Sequence, residues 1–148
     1  MTLGGSLLRY QRRFAGLVAG KRGRHHADPL FARHGMLKVG DLYRQQLRVH
    51  AWRFSKGLLP ENQAAMLSRA AAVHGHATRS ARTGIALTSW DHGSVGYRVP
   101  REWLSLPESQ RGLRTIGAFK RGSRAGFLAE YAAFVCENAT CGVCVSRV

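Results

Sequence analysis

Three cysteines near the end of the chain are the strongest candidates for metal chemistry. Cys136, Cys141 and Cys144 follow a C-x4-C-x2-C pattern, and thiolates at this spacing can share one tetrahedral zinc ion. No His or Cys follows Cys144, so a fourth ligand must come from elsewhere. The candidates for it are His25, His26, His74 and His76. The same spacing resembles three ligands of a plant-type iron–sulfur cluster, and free thiols are the third alternative. Because the ligand set is incomplete, free or oxidised thiols are the favoured alternative; if a cofactor is bound, zinc is expected ahead of an iron–sulfur cluster.

Acidic side chains, in contrast, are too few and too scattered for an active site. The chain has eight Asp and Glu residues, no two of them adjacent, and its aspartates are Asp28, Asp41 and Asp91. A two-metal phosphoryl-transfer site needs carboxylates that converge on ions about 4 Å apart. The motifs GxxxxGKS/T, HExxH and GxSxG are missing as well. We therefore predict no catalytic residues, and no enzyme activity carried by this chain alone.

Basic side chains dominate the charge: 23 Lys and Arg give a net charge of +15 over 148 residues. Such a chain attracts polyanions, so nucleic acid, RNA or DNA, is the first partner to consider. Most of the basic residues are arginine, whose planar fork binds phosphate and stacks on bases; the codon bias of a GC-rich genome is the alternative explanation. We predict phosphate contacts from a set of basic residues and base stacking from one tryptophan. They are Arg9, Arg12, Arg13, Lys21, Arg22, Arg24, Arg79, Arg82, Arg98, Arg101 and Trp90. For each basic residue the alternative is a solvated surface charge.

Hydrophobic periodicity predicts a mainly α-helical small domain with an irregular centre. Helices are expected at residues 6–19, after the pair Asp28 and Pro29, at about 41–56, near 61–73 and at about 115–134. The centre, residues 74–99, is rich in Gly, Ser, Thr and His, and its segments 85–88 and 94–99 can pair there as a short β-hairpin. No apolar run reaches the roughly 18 residues of a membrane helix, so we expect no membrane partner.

Each long helix has an apolar side that we expect to be buried. In the first helix this side comprises Leu7, Leu8, Phe14, Leu17 and Val18. In the helix 41–56 it comprises Tyr43, Leu47, His50 or Ala51, and Phe54, with Arg44, Arg48 and Arg53 largely outside it. In the last helix it comprises Phe119, Phe127, Leu128, Tyr131 and Phe134. Trp103, between leucine and proline neighbours, is expected in the core.

Short motifs along nearly the whole chain occur in an order that resembles a known family. They are residues 26–31 (HADPLF), 36–38 (MLK), 41–43 (DLY) with Gln46 and Leu47, 58–60 (LLP), 76–79 (HATR), Tyr97, 103–107 (WLSLP) and 119–121 (FKR). At these intervals they resemble the region downstream of the polymerase domain in LINE-type (non-LTR) retrotransposon reverse transcriptases. Residues 8–13 resemble the helix that opens this region. The resemblance divides the chain into a basic N-terminal helix and connector (1–26), a helical post-polymerase domain (27–135) and a Cys-containing tail (136–148).

The chain departs from this family in two respects. The Tyr-x-Asp-Asp turn with the paired catalytic aspartates is absent, and Leu104 and Ala77 stand where the family usually has Asn. The resemblance therefore implies a non-catalytic C-terminal piece of an RNA-directed DNA polymerase, which holds RNA or DNA together with the rest of the reverse transcriptase or in a ribonucleoprotein particle. A reading frame upstream of Met1 that encodes Tyr-x-Asp-Asp would establish this origin. The alternatives are a small ribosomal-protein-like RNA-binding protein and an element fragment without independent function.

The compartment is predicted from the cysteines and the N-terminal residues. An odd number of cysteines without a secretory signal favours a reducing, intracellular compartment, and a nucleic-acid partner favours the nucleus. Residues 1–26, however, contain six Lys or Arg and no acid in an amphipathic arrangement, which is typical of mitochondrial transit peptides. Mitochondrial import is therefore the alternative.

Overall fold

Seven α-helices make up most of the described part of the chain, which comprises residues 3–21, 26–68, 84–86 and 92–135 of a computed structural model. They are α1 (Leu3–Val18), α2 (Asp28–Arg33), α3 (Val39–Ser55), α4 (Glu61–Ala64), α5 (Val95–Leu104), α6 (Glu108–Arg111) and α7 (Ile116–Ala132). The prediction of a mainly α-helical protein is confirmed. The described residues fall into two compact units: unit 1 extends to Leu42 and resumes at Arg124, and unit 2 extends from Tyr43 to Ser123. The three segments 1–26, 27–135 and 136–148 stay a prediction.

Unit 1 is organised by one face of α1. Gln11, Ala15 and Ala19 recur every four residues, so they lie on the same side of the helix. Gln11 Nε2 donates to the Leu37 carbonyl at 2.6 Å, and Gln11 Oε1 accepts from the Val39 N–H at 2.9 Å. The amide thereby ties α1 to the segment that leads into α3. The buried core of this unit consists of Ala15, Ala27, Leu30, Phe31, Leu37, Phe127 and Tyr131.

A polar cluster lies beside this core and uses two of the three aspartates. The Tyr131 hydroxyl donates to the Asp41 carboxylate and accepts from the Lys38 N–H at 3.3 Å. The Lys38 ammonium forms an ion pair with Asp28 at 2.7 Å. Burial and the bond to the Asp41 carboxylate raise the pKa of Tyr131 well above its usual range. Asp28 and Asp41 are thus both satisfied by partners within unit 1.

Unit 2 is built around three aromatic rings contributed by α3, α5 and α7. The Phe119 ring lies near both Trp52 and Trp103, with ring centroids 6.1 and 6.2 Å away. The Trp52 indole N–H donates to the Leu113 carbonyl at 3.0 Å, so the polar edge of this buried ring has a partner. Burial of Trp103 confirms its predicted place in the core. The full buried cluster is Leu47, Val49, Ala51, Trp52, Phe54, Leu67, Ile85, Val99, Trp103, Leu106 and Phe119.

The predicted strand at residues 94–99 is wrong, because this segment forms the start of α5. Ser94 caps the helix: its hydroxyl accepts from the Tyr97 N–H at 3.3 Å. Val99 and Trp103, four residues apart, then lie on one buried side of the helix. Pro100 lies within α5 and is buried. Of the other predicted strand, 85–88, only Ile85 and Ala86 belong to the described residues.

The helix predicted near 61–73 is found as the short α4, and residues 69–73 lie outside the described part of the chain. The other four predicted helices agree with α1, α2, α3 and α7, whereas no helix is predicted for α5 or α6. Gly57 ends α3 as a left-handed residue with φ of 68°. The Leu58 N–H donates to the Arg53 carbonyl at 2.8 Å and the Gly57 N–H to Phe54 at 3.0 Å, which is the Schellman arrangement of a helix C-terminus.

Several predicted core residues prove to be exposed, and one predicted surface residue is buried. On α3, Leu47, Ala51 and Phe54 are buried as predicted, whereas Tyr43 is 46% exposed and Arg48 only 7%. On α1, the large apolar residues predicted to face the core are exposed instead, because the helix packs through its small residues. The exposed ones are Leu7, Phe14, Leu17 and Val18. Phe134, which follows the end of α7, is also exposed.

Candidate nucleic-acid interface

A pocket of about 570 Å³ lies on unit 2 between α3 and α5. Its size is within the range of sites that hold small ligands. Polar and charged groups dominate its lining, with an aromatic ring at one side. The lining residues are Tyr43, Arg44, Leu47, His92, Arg98, Arg101, Glu102 and Ser105. The structure thus brings two of the predicted phosphate-binding residues, Arg98 and Arg101, into one site.

Arg98 is held against the ring of Tyr43. Its guanidinium carbon lies 5.7 Å from the centroid of that ring, and its Nη1 donates to the Tyr43 hydroxyl at 3.3 Å. Its Nε donates to the His92 carbonyl at 3.1 Å, and the His92 ring meets Tyr97 edge-on at 4.3 Å. These contacts fix the orientation of the guanidinium while the side chain remains exposed. A positioned cation beside an exposed aromatic face suits a base and its phosphate.

Glu102 is the acidic group of the pocket, and its carboxylate is already occupied by two arginines. Arg44 Nε contacts one oxygen at 2.9 Å, and Arg48 Nε contacts the other at 3.0 Å. Arg48 is buried and also bonds the Ser123 hydroxyl at 3.4 Å. Because these three side chains form one network with a charge of about +1, Glu102 does not neutralise Arg98 or Arg101.

The two arginines of α5 lie on the same side of the helix. Arg98 and Arg101 are three residues apart, a spacing that makes side chains neighbours on a helix, and both are exposed. Each presents a fork of N–H donors that fits the oxygens of a phosphate. Two such groups on one rigid helix can contact one or two consecutive phosphates of a nucleic-acid backbone.

The predicted basic residues of the N-terminal helix belong to unit 1. Arg9, Arg12 and Arg13 are exposed on α1, and Lys21 is exposed after its end. They form no part of the pocket. The remaining candidates lie outside the described residues: Arg22, Arg24, Arg79, Arg82 and Trp90.

The zinc prediction also concerns residues outside the described part of the chain, since Cys136, Cys141 and Cys144 all lie there. Among residues 3–21, 26–68, 84–86 and 92–135, no group of three or more His, Cys, Asp or Glu side chains is arranged to hold a metal ion. Zinc binding by the cysteines therefore stays a prediction.

Sequence reasoning missed four residues of the pocket. Tyr43 fits the apolar stripe of α3 by its spacing from Leu47, so the sequence offered no signal for its exposure. Glu102 did offer one, because it is an isolated acid among the arginines of α5 and α6. Arg44 depends on a contact with Glu102, 58 residues further along the chain, and no local pattern predicts it. His92 contacts Arg98 and Tyr97, which are only six and five residues away, but no motif marks it as a site residue.

No family model, curated protein or solved structure matches this chain. The fold and the pocket alone define the class: a small helical protein with a basic, partly aromatic pocket. None of the helices in the described part of the chain is long and apolar enough to cross a membrane.

Proposed function

We propose that the protein binds single-stranded RNA or DNA without catalysing a reaction on it, and that the pocket of unit 2 is a contact site. The observation that carries the proposal is the pair Arg98 and Arg101 beside the exposed ring of Tyr43. The arginines contact phosphates and the ring stacks on an unpaired base. A base in a duplex is covered on both faces by its neighbours, so this arrangement favours single strands.

The charge of the whole chain supports the same partner. A net charge of +15 raises the rate at which a polyanion reaches the surface, and it contributes affinity that depends on salt. The acids that a nuclease or polymerase needs are scarce, and in the pocket Glu102 is held by Arg44 and Arg48. Binding without chemistry is therefore the function that the described residues support best.

The origin of the chain is part of the proposal. The ordered motifs resemble the post-polymerase region of LINE-type reverse transcriptases, in which a basic helical segment would help hold template RNA or target DNA. Two of the motif segments, Tyr43 of DLY and the tryptophan motif at residues 103–107, lie in or next to the elements that form the pocket. The partner in that setting is the polymerase part of such an enzyme, or a ribonucleoprotein particle.

The test is a titration of a fluorescent single-stranded RNA of about 12 nucleotides, followed by anisotropy over a series of salt concentrations. The logarithm of the affinity should fall linearly with the logarithm of the salt concentration. Because each lost phosphate contact on a single strand lowers the slope by about 0.7, the double variant R98A/R101A should lower it by about 1.4.

The matched control is R114A/R121A, which removes the same charge from two exposed arginines of unit 2 that do not line the pocket. Its salt slope should stay close to that of the parent protein. Equal losses in the two double variants would show that the pocket has no special role. Absence of any salt-dependent binding would refute nucleic-acid binding itself.

Stacking is tested separately at Tyr43. Replacement by alanine should weaken binding by about 1–3 kcal/mol, the usual contribution of one stacked base. Replacement by phenylalanine keeps the ring and removes only the hydroxyl that accepts from Arg98, so it should retain most of the affinity. If Y43A and Y43F bind RNA equally well, the ring does not stack on a base.

A further inference from the structure

A stripe of large apolar side chains on α1 is exposed. Leu7, Tyr10, Phe14 and Leu17 are between 54% and 75% exposed. Their spacing of three, four and three residues places them on one side of the helix. A continuous apolar stripe of this kind is unusual on a free surface, where apolar residues are normally scattered. It is typical of a surface that another molecule covers.

The stripe cannot be buried by rotation of the helix, because the other side of α1 is already packed. Ala15 is fully buried, and Gln11 bonds the Leu37 carbonyl and the Val39 N–H. These contacts orient the helix so that the small residues face unit 1 and the large ones face outward. The exposed stripe is therefore a fixed property of the folded unit.

We infer that this stripe is a docking surface for an acidic amphipathic helix of a partner protein. The apolar spacing matches positions a and d of two successive heptads, with Leu7 and Phe14 at a and Tyr10 and Leu17 at d. In that register Arg13 occupies a g position beside the seam. A partner helix with leucines along its seam and glutamates beside it would bury the stripe and pair with this arginine.

The charge of α1 selects the acidic partner. The helix contains Arg9, Arg12 and Arg13 and no acid, and of the three arginines Arg13 lies beside the stripe, at position g. A second copy of the chain would bring the same arginines together, and each copy carries a net charge of +15. Like charges at such positions disfavour self-association.

The shape of the stripe selects a helix over other anionic partners. The exposed apolar residues follow the a and d positions, with Val18, 51% exposed, beside them at e, which is the pattern of the seam of a helix pair. Nucleic acid would use the rings of Tyr10 and Phe14 but has no counterpart for the aliphatic Leu7 and Leu17. A protein helix buries all four.

The experiment uses the full chain and a synthetic three-heptad peptide with leucine at a and d and glutamate at e and g. A second peptide with lysine at e and g is the control for charge. Binding is measured by fluorescence anisotropy of the labelled peptide. We expect the acidic peptide to bind at least tenfold more tightly than the lysine peptide.

Substitutions on the exposed stripe test the site without disturbing the core. The variant L7N/L17N should lose at least tenfold in affinity for the acidic peptide, with an unchanged circular dichroism spectrum and melting temperature. The variant R13Q should lose affinity more than R12Q, which removes the same charge from an exposed arginine on the opposite side of the helix, at position f. Because the stripe lies in unit 1, L7N/L17N should still bind RNA like the parent protein, so this inference and the proposed function fail separately.

Four results would overturn the inference. One is failure of the acidic peptide to bind, and another is equal binding of both peptides. A third is a dimer in analytical ultracentrifugation that L7N/L17N dissociates, which would identify a second copy as the occupant. The fourth is binding that L7N/L17N abolishes on phosphatidylserine vesicles or on RNA, but not on the peptide, which would identify a lipid or nucleic-acid surface.

Discussion

Replacement of Glu102 by alanine is expected to destabilise the protein by about 3 kcal/mol, because it leaves the buried guanidinium of Arg48 without an anion. Arg48 has 9% of its side chain exposed and Glu102 has 16%, whereas Arg44 has 39%. Removing one partner of a buried pair costs about 3–5 kcal/mol, and an exposed pair contributes about 0–1 kcal/mol. We take the lower end because the Ser123 hydroxyl still bonds Arg48.

Urea denaturation followed by circular dichroism measures this loss directly. For a chain of about this length, 1 kcal/mol lowers the melting temperature by about 2–4 °C, so E102A should melt about 6–12 °C below the parent protein. E102Q keeps the size of the side chain and one acceptor oxygen, but it has no charge and places an NH2 donor opposite the second arginine. It separates the contribution of the charge from that of the packing.

Most of the stability lost in E102A should come from leaving the buried charge of Arg48 unpaired. If so, the double variant R48M/E102M, which removes both buried charges and keeps side chains of similar length, should be more stable than E102A. A loss below about 1 kcal/mol in E102A would contradict the reasoning, since it would mean that water or another group compensates Arg48 as well as the carboxylate does. The reasoning would also be contradicted if the losses were additive, that is, if R48M/E102M were less stable than the parent protein by the sum of the two single losses.

Three further predictions concern single residues. Burial and, secondarily, the charge of Arg53 lower the pKa of His50 below its ordinary value of 6.5. The unfolded chain therefore binds the proton more tightly than the folded chain, and stability that is present above pH 6.5 is lost as the pH falls. The variant H50L should flatten the dependence of the urea midpoint on pH between about pH 7 and about pH 5. Phe127 is fully buried in unit 1, and F127A should cost about 3–5 kcal/mol in the same assay. Gly57 has φ of 68° and open space where a Cβ would lie. The variant G57A should therefore lose about 1–2 kcal/mol of stability through backbone strain alone, and G57N should lose less. Equal stability of G57A and the parent protein would contradict the assigned helix cap.

The long helices could be predicted from the sequence because their pattern is local. In α3, Leu47, Ala51 and Phe54 recur at helical spacing, and all three are buried. The burial of Arg48 could not be predicted in this way. It depends on Glu102, which lies 54 residues further along the chain, and a charge is buried only where such a partner is present.

The start of α5 shows how two local signals compete. Val95 and Val99 have a high propensity for strands, and the sequence therefore suggested one arm of a hairpin. Ser94, however, satisfies the Tyr97 N–H as a helix cap, and the burial of Val99 and Trp103 on the same side then stabilises the helix. Tertiary burial outweighed the strand propensity.

The candidate site could be predicted only in its charge. The sequence indicates Arg98 and Arg101, because arginines in a basic protein are candidates for phosphate contacts, and both lie in the pocket. For Tyr43, which supplies the ring, the sequence predicts a place in the core, because its spacing from Leu47 fits a buried stripe. The side of a helix on which a residue lies is set by its spacing, but its burial is set by what another element places over it.

The contacts also determine how the net charge is distributed. Of the acids in the described part of the chain, Asp28 pairs with Lys38 and Glu102 with two arginines. Arg98 and Arg101 in one unit and Arg9 and Arg13 in the other are exposed. The neighbours of the two basic groups differ: an aromatic pocket in unit 2 and an apolar stripe in unit 1. We therefore expect two partners, a nucleic acid and an acidic helix, and each double variant, R98A/R101A or L7N/L17N, should weaken one interaction while it leaves the other intact.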